Sequence, residues 1–382
     1  MSKIYYDHAA TTKQLKVVTE AVNDAIENNW YNVSSGYTPS FESRKIVTRA
    51  QKAVSDLISC NPNNVLFTSG ATESNNMVIK GVLEATDITN PHIITTEIEH
   101  PAIYETLKAE AQKGLEVSFA KVGSDGRVKA EDVLRLIKPN TVLVSVMFAN
   151  NETGVLQPIE ELGYELHKRG ILFHTDAVQA ISHERIDVEK MNIDFLSASA
   201  HKMHGPKGVG FLYVKDFKTI KPLIHGGGQQ GNFRSGTINN EAIAGYAAAL
   251  EYCLANFDAD NERVRSIRDF VQERLLEAID GAVVNGSLDN RIPSILNISF
   301  PYIEAESLIM TLDMKGILVS GGSACATGKK EPSRVLTKMG LSSDRSRGAI
   351  RLSFGIDNTM EEAVEATKVI TESVKYLQGI RL

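Results

Sequence analysis

The run Ile171-Leu172-Phe173-His174-Thr175-Asp176 decides how this chain folds. Three consecutive apolar residues without polar alternation read as a strand buried on both faces, the habit of a parallel sheet covered by helices. An acid just past such a strand lies at the carboxyl edge of the sheet, where α/β proteins bind ligands. Similar short runs recur on either side, at Val65-Leu66-Phe67, His92-Ile93-Ile94, residues 141–148, Phe195-Leu196 and residues 209–214. Helical spacing fills the gaps, over residues 73–83 and 159–168. Two further helices are predicted ahead of the first strand, over 15–29 with Val18, Val22 and Ile26 on one face, and over 41–58 before Pro62. The rhythm predicts an α/β fold, with a mostly parallel sheet flanked by helices on both faces.

The pattern changes after Gly236. Helices are predicted over 240–254 and 263–279, with a break near Phe257-Asp258-Ala259-Asp260. A strand at 296–300, a helix at 304–314, strand-like runs at 317–320 and 351–354 and a last helix at 360–377 describe a smaller α/β unit. The expected division is a large domain over 14–257 and a small domain made of 1–13 and 258–382.

Composition narrows the function. With 42% hydrophobic and 23% charged residues, the 382-residue chain reads as soluble and globular, long enough for two cores. A net charge of −6 argues against direct nucleic-acid binding, which rewards clustered Lys and Arg. Cys60, Cys253 and Cys325 are too few and too scattered for a disulfide framework or a zinc site, so no metal is expected and a reduced, cytoplasmic setting is. The start carries no apolar signal-like run, and no run is long enough to span a membrane.

Three stretches carry chemistry. Ala198-Ser199-Ala200-His201-Lys202 places a lysine in a small-residue turn after a strand, followed by glycines that let the backbone approach a bound group. A lysine shielded from water loses its proton readily and can form a Schiff base, although a lone lysine is far more often surface charge. Asp176 could keep a pyridine nitrogen protonated, or could equally cap a helix. Gln179 would face the same way if a helix began there. Thr68-Ser69-Gly70-Ala71-Thr72-Glu73-Ser74-Asn75 opens a helix with small hydroxyl residues, either a phosphate site or an ordinary capped helix.

In this order the three pieces resemble the aminotransferase class V family of pyridoxal-phosphate (PLP) enzymes, and within it the cysteine desulfurases of the NifS/IscS type. The resemblance runs nearly end to end. It covers Asp7-His8-Ala9-Ala10-Thr11-Thr12, Gly70 to Asn76, Glu99-His100, Asn150 to Gly154, Asp176 to Gln179, Ser199 to Lys202, His225 to Gln229, Arg234 to Thr237, Gly322 to Cys325 and Arg351-Leu352-Ser353. It implies PLP-dependent transferase fold type I, with a seven-stranded type of sheet.

The resemblance also implies roles. Lys202 would carry PLP and move the substrate's Cα proton, Asp176 would face the ring nitrogen, His100 would lie on the ring and act in catalysis, and Gln179 would bond the phenolic oxygen. Ala71, Thr72, Ser199 and His201 would hold the phosphate, joined by Thr237 across an obligate homodimer. Arg351, with Asn151 and Asn32, would bind the substrate carboxylate, and Asn151 would also touch the cofactor. Cys325 would take sulfur from L-cysteine as a persulfide, release L-alanine, and pass the sulfur to an acceptor protein, an iron–sulfur scaffold or a tRNA-thiolation enzyme.

Cys325 is what selects this reaction, because an aminotransferase on the same scaffold has no use for it. Glycines and small residues surround it, and Lys329 and Lys330 would favour its thiolate. Cys60 and Cys253 are expected to be packing residues. The family's Asn-Pro-Ser-Ser-x-His stretch is replaced here by Asn32-Val33-Ser34-Ser35-Gly36-Tyr37, and Lys13 stands where proline is common.

Overall fold

A computed structural model describes residues 3–321 and 333–380. Its strands are β1 (Ile4–Tyr5), β2 (Val65–Thr68), β3 (His92–Thr96), β4 (Glu116–Ala120), β5 (Thr141–Ser145), β6 (Leu172–Asp176), β7 (Phe195–Ser199), β8 (Gly210–Val214), β9 (Val283–Val284), β10 (Ile295–Ser299), β11 (Ile317–Leu318) and β12 (Ala349–Ser353). The helices that matter below are α1 (Lys16–Asn28), α2 (Pro39–Ile58), α3 (Ala71–Ala85), α4 (Pro101–Ala111), α5 (Ala130–Leu134), α6 (Ile159–Lys168), α7 (Asn240–Ala278), α8 (Ala305–Met314), α9 (Arg334–Lys338), α10 (Ser343–Arg347) and α11 (Met360–Ile380).

Seven strands form the main sheet in the order β2-β8-β7-β6-β5-β3-β4. Only β8 runs against the rest. The carboxyl ends of β2, β3, β6 and β7 therefore share one edge, and that edge carries Thr68, Thr96, Asp176 and Ser199. Helices cover both faces. One apolar cluster joins Val144, Phe173 and Leu196 to Val54 and Tyr246, and another joins Ile93, Leu143 and Leu212 to Val78 and Leu107. Val144 and Leu143, neighbours on one strand, fall into opposite clusters, as a doubly covered strand requires.

A second core packs β10 and β12 against α7, α8 and α11, through residues such as Leu296, Ile298, Val271 and Ile370. The amino terminus belongs to it, because β1 pairs with β11 in parallel. No helix among the described residues is long and apolar enough to cross a membrane.

The two helices expected over 240–254 and 263–279 are one continuous helix of 39 residues. No glycine or proline interrupts residues 255–262 to stop it. Phe257 and Asn261 bury themselves on its inner side, so packing carries the helix through a polar stretch. Two smaller differences are β4, which the runs of apolar residues did not announce, and the region after Asp176, which forms turns rather than a helix.

Candidate active site

The site grows from strand tips. β6 ends on Asp176, which is buried, and no helix follows for it to cap. One carboxylate oxygen accepts the Val178 amide at 3.1 Å, and the other accepts the Asn75 side-chain amide at 2.7 Å. Asn75 lies one turn inside α3, so helix and strand tip are tied by a buried hydrogen bond. Its own side-chain oxygen has no partner.

β7 ends on Ser199, and a single helical turn carries Lys202. The Ser199 hydroxyl accepts the Ala71 amide at 2.8 Å, closing the junction between β7 and the start of α3. That junction is tight. A Cβ on Gly210 would fall 2.4 Å from the Ala198 carbonyl oxygen, and Gly70 holds a φ of 145° that favours glycine. Thr72, in the first turn, is exposed. Glu73 beside it takes a two-pronged ion pair from Arg234, at 2.8 and 3.2 Å. Burial works to raise the Glu73 carboxyl, but hydrogen bonds from Arg234 and Ser69 outweigh it and hold the group below its ordinary range.

Lys202 is half-buried, and its ammonium donates to the carbonyls of Ala9 and, at 2.7 Å, Ala10. Burial pushes its pKa down to about 8. Arg351 adds to that fall, while Asp7 and Asp176 act against it. The Gln179 amide donates to the same Ala9 carbonyl at 3.1 Å, and the His201 ring meets the Thr11 hydroxyl at 3.2 Å. Burial and the neighbouring Lys202 and Lys207 lower His201 to about 4. Behind Lys202 and Gln179 a cavity opens against His8, His204 and Phe354, and neither Asp176 nor His100 is among its walls.

His100 caps α4, its Nδ1 accepting the Ala102 amide at 3.1 Å. His100 is exposed, yet the protein packed around the ring lowers its pKa, chiefly by desolvation. Asp176 pulls the other way, and Lys202 and Arg334 reinforce the fall. Arg351, in β12, is almost fully buried. It donates to the Asn151 carbonyl at 2.8 Å and to the Asp7 carboxylate at 2.7 Å. The fold thus gathers Lys202, Gln179, His201 and Arg351 around one amino-terminal segment, with Asp176, Ser199 and Ala71 tied together at the strand tips.

Asn32 and Thr237 stand apart. Both are exposed, and among the described residues no hydrogen bond links either to this cluster; the Asn32 side chain accepts the Ser34 amide in its own loop. Cys325, with Lys329 and Lys330, lies outside the described residues. The residues bracketing that segment are fixed beside the site: Ser320 pairs with Arg351, and the Ser333 hydroxyl donates to Glu152. Cys60 and Cys253 have thiols pushed up to about 12 by burial, which suits packing rather than nucleophilic chemistry.

Glu99 had no expected role. It is buried, with Oε1 accepting the Thr96 hydroxyl at 2.6 Å and the Met147 amide at 3.0 Å, while Oε2 has no hydrogen-bond partner. Burial raises it to about 8, against the pull of those two donors, and Asp176 raises it further. A carboxyl raised in the folded state favours folding most at low pH. That stability is lost as pH climbs from the ordinary carboxyl range, about 4, towards 8. Glu99→Gln, which keeps the acceptor and cannot ionise, should match wild type in thermal midpoint near pH about 4 and exceed it increasingly up to about 8. Thermal unfolding of the apoprotein across this range checks it, and an offset independent of pH would contradict it.

Comparison with known proteins fits this geometry. The model of the family described as "Aminotransferase class-V" matches residues 4–366. The cysteine desulfurase IscS of Clostridium botulinum (strain Hall) is 42% identical over 379 residues, covering 98% of this chain and 94% of that protein. The chain belongs to the aminotransferase class-V family. Within this family it stands with the cysteine desulfurases of the NifS/IscS type. A solved NifS-like protein superposes with a TM-score of 0.92 at 36% identity, covering 98% of this chain and all of the other. A structure titled "SspA in complex with cysteine" gives 0.82 at 33% identity, with coverage of 94% and 100%. The architecture is that of the PLP-dependent transferases of fold type I.

The residues present fit PLP. An amine of lowered basicity, a buried strand-tip carboxylate and a glycine-opened helix start line one sheet edge, which is the donor and acceptor set that a phosphorylated pyridine aldehyde requires.

Proposed function

We propose that this class-V family member is a homodimeric, cytoplasmic, PLP-dependent cysteine desulfurase. It converts L-cysteine to L-alanine and keeps the sulfur as a persulfide on Cys325. The observation that carries the reading is the shared anchorage of Lys202 and Arg351. One amino-terminal segment holds a weakly basic amine and a buried guanidinium, the two groups needed to work on an α-amino acid. We place the large domain at 14–257 and the small domain at 1–13 with 258–382.

Lys202 would attach PLP, Asp176 would face its ring nitrogen, Gln179 its phenolic oxygen and His100 its ring face. Ala71, Thr72, Ser199 and His201 would hold the phosphate together with Thr237 contributed across the dimer. PLP, when bound, supplies an electron sink that acidifies the substrate's Cα–H. Arg351, with Asn151 and Asn32, grips the α-carboxylate and fixes the direction of that bond. The Lys202 Nζ takes the Cα proton; with a pKa of about 8, roughly a tenth of it is already neutral at pH 7. The Ala9 and Ala10 carbonyls, which hold the protonated amine in the free chain, are suited to receive it again.

The Cys325 thiolate then attacks the substrate sulfur. A sulfur–sulfur bond forms, the carbon–sulfur bond breaks, and Lys202 returns a proton to the carbon skeleton. L-cysteine and one thiol give L-alanine and one persulfide, with no outside oxidant or reductant. The persulfide passes to an acceptor protein, an iron–sulfur scaffold or a tRNA-thiolation enzyme.

The test is to supply the holoenzyme with L-cysteine, measure L-alanine, and weigh the peptide that contains Cys325. Equimolar alanine and a peptide heavier by one sulfur atom are expected. Alanine without that mass gain, or turnover that needs a keto acid instead, would overturn the reading.

A further inference from the structure

The segment Asp7–Thr12 contributes backbone carbonyls to Lys202, and its one acidic side chain anchors Arg351. Asp7 is held firmly. The Tyr5 hydroxyl lies 2.9 Å from both the Asp7 and the Thr11 carbonyl oxygens and shares its one hydrogen between them, bracing the segment in a tight turn. Two residues on, the Ala9 amide donates to the Ser353 hydroxyl at 2.8 Å, fastening the turn to β12. β12 is the strand that carries Arg351.

From this fixed position the Asp7 carboxylate takes one arm of the Arg351 guanidinium, and the Asn151 carbonyl takes another. The third nitrogen, Nε, is buried without a partner. The Arg351 side chain is 6% exposed and that of Asp7 22%, so the pair interacts where water screens weakly. Two consequences follow from one contact. The guanidinium plane is set before any ligand arrives, and a resident anion already balances part of its charge. An incoming carboxylate must share the cation with Asp7.

We propose that Asp7 is a specificity-setting residue of the substrate site, a resident carboxylate that positions Arg351 while moderating its attraction for the carboxylate of an amino acid. It keeps that affinity low enough for the product amino acid to leave. The proposal rests on the reading that Arg351 receives the substrate carboxylate.

Asp7→Asn keeps an oxygen for Arg351 and removes the charge. Calorimetric titration of the holoenzyme with L-alanine should show binding at least about three-fold tighter in this variant. Ethylamine, which lacks the carboxylate, should bind both proteins alike. Asp7→Glu, which retains the charge, should bind L-alanine no more tightly than wild type. Asp7→Ser removes the same charge and takes the place of Asp7→Asn should that variant not fold. Unchanged or weaker L-alanine binding in the neutral variant would overturn the proposal, as would equal tightening towards ethylamine. Wild-type holoenzyme that binds L-alanine and ethylamine equally would overturn the Arg351 assignment and this proposal together.

Discussion

Replacing Lys202 with alanine is expected to lower L-alanine formation from L-cysteine by roughly a thousand-fold or more, because a positioned proton-transfer group contributes about that much. The same change should let the cofactor dialyse away, since the attaching amine is gone. Two readouts separate the roles. An added small amine can restore part of the proton transfer without restoring retention of the cofactor. The wild-type rate should also fall as pH drops below about 8, the value to which burial lowers the Lys202 amine, because the protonated amine cannot take up the Cα proton. A Lys202→Ala protein that turned over like wild type would remove the amine from the mechanism.

Cys325→Ser is the second large effect. A hydroxyl ionises far less readily than a thiol and is a poor partner for sulfur, so desulfuration should fall by roughly a thousand-fold or more. Cofactor absorbance and L-alanine affinity should stay at wild-type values, because the residues proposed to hold the cofactor and the carboxylate are untouched. Full turnover in Cys325→Ser would favour an aminotransferase on this scaffold. Loss of cofactor in the same variant would mean that residue 325 serves structure rather than sulfur chemistry.

Much of this site was legible in the sequence because chemistry sits directly after apolar runs. Leu172-Phe173 leads into Asp176, Phe195-Leu196 into Ser199 and Lys202, and Val65-Leu66-Phe67 into Gly70, so locating the strands placed these candidate residues at their tips. The edge strand β4 was less visible. Its residues Glu116 to Phe119 are only half-buried or exposed, which leaves no apolar run to read. The union of two expected helices into α7 was hidden because its middle is polar, and only tertiary packing of Phe257 and Asn261 favours continuing it.

Contacts between distant residues lay beyond any local pattern. Asp7 and Arg351 are 344 positions apart, and neither stretch announces the other. Asn75 could have been suspected, since it lies four residues after Ala71 and so faces the same side of the helix. Glu99 could not, because its unpaired oxygen becomes conspicuous only once Thr96 and Met147 are folded around it.

The 39-residue helix ties the molecule together in a way that limits how it can be divided. At 1.5 Å per residue it is a rod about 58 Å long. Ala247 and Leu250 lie in the sheet core at one end of it, and Val271 and Leu275 in the second core at the other. Severing the chain at 257 would leave a ragged helix end with carbonyls that nothing caps. It would also strand β1, whose strand partner β11 lies on the far side of the cut. Neither piece would own a complete interior, so the two halves are architectural regions of one folding unit rather than modules that could be exchanged or expressed alone.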